Sequence, residues 1–132
     1  MCNTERSGPV SWDLKSDRPI YAQLIEQIEI KICSGIYAPG SKLPSVRDLA
    51  QEAAVNPNTM QKALSKLEED GLVYTNRTSG RFITEDSKMI EQAKHKLAEE
   101  QISEFLEKMK SLGFGKTETL SIISEMLEEA KQ

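Results

Sequence analysis

The chain has 132 residues, 17 Lys/Arg against 21 Asp/Glu, a formal net charge of −4 and two cysteines. That length suits one modest core with a small helical appendage. Cys33 in an apolar-periodic segment and Cys2 in a polar tail make no disulfide framework, which fits a reducing, cytoplasmic setting. No early apolar run reads as a signal peptide, Met1-Cys2 does not read as a lipoprotein signal, and no stretch approaches a membrane span.

Residues 1–18, rich in Ser, Asn, Asp and Gly, read as a loose N-terminal arm in which Trp12 and Leu14 can dock on a folded body. Pro19 then takes a helix N1 position. Tyr21, Leu24, Ile25, Ile28 and Ile32 follow at the i, i+3, i+4 spacing of one buried helix face. "SGIYAPGSKLP", with two glycines and two prolines, ends that helix and leaves a short strand near Ser41–Leu43. Ser45, three residues before Asp48, opens a second helix, "SVRDLAQEA", with Val46, Leu49, Ala50 and Ala53 inward and Arg47 outward.

The stretch "AVNPNTMQKAL" stops that helix and starts another: Asn56 caps, and Pro57 takes N1, where its missing N–H costs nothing. Met60, Ala63, Leu64 and Leu67 form the buried stripe. At about 100° per residue, Asn58, Gln61, Lys62 and Ser65 fall opposite it, with Thr59 on the flank. "DG" at 70–71 ends the helix. "LVYT" and "RFIT" then flank "NRTSG" as a β-hairpin, with Gly80 able to take a positive φ and Arg77 and Arg81, in or beside the turn, making it a basic wing for contact with the neighbouring groove or backbone of DNA.

Residues 85–132 carry Ile90, Ala93, Leu97, Ile102, Phe105 and Met109 at helical spacing, with one extra step after Leu97. "LGFG" breaks this helix, Thr117 caps the next, and Leu120, Ile123, Met126, Leu127 and Ala130 form its inward stripe. Two such helices are too small to enclose a ligand pocket. Their apolar stripes are buried either on a partner chain or back on the chain's own body.

Two short helices joined by a tight turn, the second presenting Asn, Thr, Gln and Lys near its start, meet the demands of a helix-turn-helix. Its N-terminal end enters the major groove, with free backbone N–H groups and the positive end of the dipole toward phosphate. Asn and Gln can pair with adenine, and Thr offers a hydroxyl and a methyl to base edges. Charge supports the same division. Residues 1–84 carry ten Lys/Arg and ten Asp/Glu, residues 85–132 seven and eleven, so the acidity belongs to the C-terminal part. Enzyme readings lack an inventory: His95 is the single histidine and lies among lysines, Cys33 has no base in pattern, and no metal-ligand spacing or phosphate loop occurs. No cofactor or metal is implied. The competing reading is a winged-helix module for protein or RNA contact, which would carry an acidic or apolar face where Asn58, Gln61 and Lys62 stand.

The ordered pattern "G…APGSKLPSVRDLA", "LEEDGLV" and "GRFI" across residues 19–84 resembles the GntR-type bacterial transcription regulators, and "VNPNT" resembles their small YtrA-type subgroup. The resemblance implies that Ser45 contacts phosphate and Arg47 touches DNA from the second helix. It places Asn58, Thr59, Gln61 and Lys62 at the recognition-helix contact positions and Gly80 at the wing. Many relatives carry arginines where Pro57 and Gln61 stand, and a glycine pair where the wing reads "TSG", so the operator sequence does not transfer. The resemblance also implies a short helical C-terminal part that dimerises, and related domains fused to an aminotransferase-like part exceed this length. The expected fold is therefore mostly α with a small β-hairpin wing: a winged helix-turn-helix (19–84) followed by a two-helix dimerisation part (85–132). The expected function is a cytoplasmic, sequence-specific regulator, a repressor binding an inverted repeat of double-stranded DNA as a homodimer. Leu97, Phe105, Met109, Leu120, Ile123 and Leu127 form the expected interface, no membrane is involved, and the effector is unknown.

Overall fold

The computed structural model describes residues 12–130; residues 1–11, including Cys2 and most of the expected arm, and residues 131–132 lie outside the described part. The elements run α1 (Ile20–Cys33), α2 (Val46–Ala53), α3 (Pro57–Glu69), β1 (Val73–Asn76), β2 (Gly80–Ile83), α4 (Ser87–Ser111) and α5 (Lys116–Ala130). The chain is mostly helical, with one antiparallel hairpin among the described residues. It divides into two compact units, one ending at Lys94 and one beginning at His95. The division lies inside α4 because Met89, Ile90 and Ala93 of its first turns still pack against the core of the first unit.

In α1 the expected stripe is largely realised: Leu24, Ile28 and Ile32 are fully buried and Ile25 half-buried. Two details differ. Pro19 is the N-cap, not N1, because its ψ of 130° keeps it extended. Tyr21 stays 39% exposed, and Gln23 is buried near the helix start instead. The reason is the segment before the helix, which folds back along it. Gln23 accepts from the Lys15 N–H at 2.7 Å and donates to the Lys15 carbonyl at 2.7 Å, while Gln27 does the same for Asp13 at 3.1 and 2.6 Å. Side-chain amides one helical turn apart thus serve the backbone N–H and C=O of two residues at strand spacing, so those backbone groups are met where the segment lies on α1. Trp12 and Leu14, which alternate with the anchored residues Asp13 and Lys15, pack on the core.

Ser45 is extended at ψ 160° and its hydroxyl accepts from the Asp48 N–H at 3.1 Å, which starts α2. Leu49, Ala50 and Ala53 are buried. The helix stops at Ala54, which takes φ 58°, ψ 48° and turns the chain sharply into α3. Asn56 then accepts from the Asn58 N–H at 2.7 Å, Pro57 occupies the first turn, and Met60, Ala63, Leu64 and Leu67 are all buried. Gly71 follows at φ +86°, where a Cβ would also lie 2.7 Å from Met89 Sδ, so both backbone and space demand glycine.

The hairpin pairs Val73 with Ile83, Tyr74 with Phe82, Thr75 with Arg81 and Asn76 with Gly80. The expected strand near Ser41–Leu43 is reduced to one bridge, Lys42 to Phe82. It is flanked by hydrogen bonds from Leu43 N–H to Arg81 O at 2.9 Å and from Ile83 N–H to Ser41 O at 2.8 Å. Leu43, Leu72, Val73 and Ile83 close the core of the first unit.

In the second unit the last helix starts at Lys116, two residues earlier than a cap at Thr117 predicts. The structure places Gly115 before Lys116, and Glu118 accepts from the Gly115 N–H at 2.9 Å; the carboxylate reaching back caps the helix, so Thr117 is not the cap. Within the single chain, Thr119 is buried and Ile122 and Ile123 half-buried, while Leu120, Met126 and Leu127 of the expected stripe are 64%, 64% and 61% exposed and Ala130 is exposed. On α4, Leu97 is buried and Met109 half-buried, but Ile102 and Phe105 are 56% and 41% exposed. No helix among the described residues is long and apolar enough to cross a membrane.

Candidate nucleic-acid interface

The outer face of α3 holds Asn58, Gln61, Lys62 and Ser65, all exposed, with Thr59 half-buried at its edge. No carboxylate interrupts it before Glu68. One expectation fails at its start: the first turn offers no ready row of free N–H groups. Pro57 has none, Asn58 N–H is bound to the Asn56 side chain, and the N–H groups of Thr59 and Met60 go to the Asn56 carbonyl at 3.0 and 3.1 Å. Recognition by α3 therefore falls to its side chains, with the dipole as background. Gln61 has its amide on Ser65 Oγ at 3.3 Å, a neutral exposed bond that a base edge can replace at little net cost.

The acidic end of α3 is neutralised within the chain. Lys66 lies 3.2 Å from Glu69 and 3.4 Å from Asp70, contacts that hold its ammonium pKa above the ordinary value, the hydrogen bond to Glu69 first. Glu68 pairs with Arg81 Nε at 3.7 Å. That pair relocates Arg81: its side chain is only 19% exposed and points to α3, because strand alternation puts it on the same face as buried Ile83. Arg47 and Arg77 are exposed, and their guanidinium groups make no ion pair among the described residues. Ser45, its lone pair engaged by Asp48 N–H, keeps a hydroxyl proton for an acceptor such as phosphate.

Between the start of α2 and the wing lies an open groove of about 720 Å³, lined by Lys42, Ser45, Asp48, Thr75, Gly80 and Arg81 among others. Gly80 takes φ +106° at the wing turn. On the outer wing face Tyr74 and Phe82 stack with ring centres 5.7 Å apart, which stiffens a two-stranded element of marginal intrinsic stability. The structure thus brings Ser45, Gly80 and Arg81 to one groove and keeps Asn58, Gln61 and Lys62 together on α3. No group of three or more His, Cys, Asp or Glu among the described residues could hold a metal ion.

Residues 20–83 match the family described as bacterial regulatory proteins, gntR family. The HTH-type transcriptional regulator YhcF of Bacillus subtilis (strain 168) is 40% identical over 114 residues, covering 86% of this chain and 94% of that protein. The chain belongs to the GntR family. Within it, the HTH-type transcriptional repressor YtrA of the same organism is 40% identical over 95 residues, 71% of this chain and 73% of its own. A GntR family transcriptional regulator from Listeria monocytogenes has the same fold with a TM-score of 0.77 at 37% identity, covering 85% of this chain and 98% of that one. The GntR family and these relatives are transcriptional regulators and not enzymes, so this chain is a transcription regulator with a GntR DNA-binding domain of YtrA type.

Proposed function

We propose that this GntR regulator is a repressor that binds an inverted-repeat operator as a homodimer, with residues 19–84 on the DNA and residues 85–132 joining two copies. The observation carrying the DNA reading is the carboxylate-free outer face of α3, where Asn58, Gln61 and Lys62 stand exposed together. Asn58 and Gln61 read base edges, Thr59 supports them, and Lys62, Arg47, Ser45 and Arg77 hold phosphates, with the wing turn at Gly80 following the backbone. Repression is supported by the similarity to YtrA, itself named a transcriptional repressor. Such a protein works in the cytoplasm, beside the chromosome, and no effector is assigned.

One recognition helix reads only a few base pairs, too few to select one site among the many competing sites of a genome, which favours a two-fold pair of helices. Exposed Phe105, Leu120 and Leu127 support the second unit as the joining surface, with Leu97, Met109 and Ile123 beneath or beside them. The test is the affinity of the full chain for different duplexes across a salt series. The expected result is a steep fall of log affinity with log salt and preference for one duplex. Equal affinity for every duplex, or a flat salt response, overturns the reading.

A further inference from the structure

We infer that Lys42 is an additional phosphate-holding residue, seated on the edge of the wing by a single β-bridge rather than on either helix of the helix-turn-helix. The inference rests on the DNA-binding reading and adds to it a residue that neither the motif nor the hairpin sequence designates. Three observations carry it.

The backbone of Lys42 is fixed to the wing by its bridge to Phe82 and the two flanking hydrogen bonds. Those bonds make Lys42 and Phe82 a pair without mutual hydrogen bonds, the arrangement in which opposite side chains lie closest and on one face. That face is the outer one, since Val73 and Ile83 occupy the inner face and the Tyr74–Phe82 stack the outer. Lys42 therefore projects away from the core.

Its stem then crosses diagonally to the wing turn: Lys42 Cε lies 3.3 Å from where a Cβ on Gly80 would sit. The absent side chain at Gly80 thus leaves the path for the lysine as well as permitting φ +106°. The ammonium is carried toward the turn that also bears Arg77.

The third observation is electrostatic. The Lys42 ammonium has no hydrogen bond or ion pair among the described residues, whereas Arg81, the cation that the hairpin sequence offered for this task, is engaged by Glu68. Asp48 shares the groove lining, so the groove as a whole is no concentrated positive well. A single ammonium on the outer face implies one phosphate contact and no base reading.

The test measures full-chain affinity over a salt series for two duplexes, the preferred one and an unrelated one of equal length, for wild type, Lys42→Gln and Lys42→Arg. The account expects Lys42→Gln to shallow the log affinity against log salt slope by about 0.9, the value for one B-DNA phosphate. It expects similar fold losses on both duplexes, and Lys42→Arg to restore the slope. An unchanged slope in Lys42→Gln, a loss confined to the preferred duplex, or a loss that arginine does not restore overturns the inference while leaving the DNA-binding reading intact. A wild-type protein that binds neither duplex removes both.

Discussion

Lys31 carries an ammonium into a place that water does not reach: it is 4% exposed, its Nζ has no hydrogen-bond partner, and it lies 3.4 Å over the Trp12 ring centre. Burial lowers its pKa to about 8, against a smaller upward pull from Glu52. Below pH 8 the lysine is charged in both folded and unfolded chains, and the full cost of burying it is felt. Between pH 8 and its unfolded pKa of about 10.4 the unfolded chain binds more protons than the folded one, so this residue's contribution to stability rises with pH. Two other groups pull the opposite way. Burial, then Glu52, raises the Tyr37 phenol to about 12, and burial, ahead of nearby charges, raises the Cys33 thiol, so each favours the unfolded chain once it ionises there. The informative quantity is therefore a difference. Lys31→Met fills similar space without a desolvated charge and should be more stable than wild type by about 1 kcal/mol at pH 7, the lost contact with Trp12 offsetting part of the gain. Chemical denaturation should show this advantage narrowing from pH 8 to 10; an advantage independent of pH contradicts the assignment.

At the scale of elements, the recognition helix and the wing are positioned by different means. For α3, Asn56 and Pro57 set the start and the buried stripe sets the rotation, which leaves Gln61 on the outer face. Replacing Gln61 by Ala should cost about 1 to 3 kcal/mol on the preferred duplex and relax choice at one or two base pairs. A selected motif unchanged in Gln61→Ala would show that this residue reads no base. The wing is held to α3 by the Arg81–Glu68 pair, largely screened from water on the arginine side. Arg81→Glu should destabilise the first unit by about 1 kcal/mol or more by placing two carboxylates together, and the swap Arg81→Glu with Glu68→Arg should recover most of that loss. A double variant as unstable as the single one would show that the pair does not hold the wing.

The sequence made α3 legible because its cap, its proline and its apolar period all point to one answer. The path of Arg81 was equally present in the alternation with Ile83, but its place beside the basic turn suggested a DNA-facing side chain. Gln23, Gln27 and Lys31 escaped sequence reasoning because their burial depends on residues 12–15 folding back along α1, a contact that helical period does not encode. The stripe of α5 is covered only in part within the single chain. Leu120, Met126 and Leu127 match a helical period, yet the chain by itself covers Thr119, and only partly Ile122 and Ile123.

At the scale of the whole molecule, those uncovered side chains and the short reach of one recognition helix point to the same solution, a second copy. Introducing Phe105→Glu together with Leu127→Glu places charges on exposed apolar positions of the second unit and leaves the core of the first untouched. Sedimentation at micromolar concentration should give a dimer for wild type and a monomer for this variant, with unchanged helix content. The central claim, that two joined winged helices read one operator, is tested most directly by selecting duplexes from a random pool with the purified full chain. The account predicts enrichment of an inverted repeat whose half-site centres lie about 10 base pairs, or a multiple of that, apart. Recovery of a single unrepeated half-site, or no enrichment at all, would contradict it.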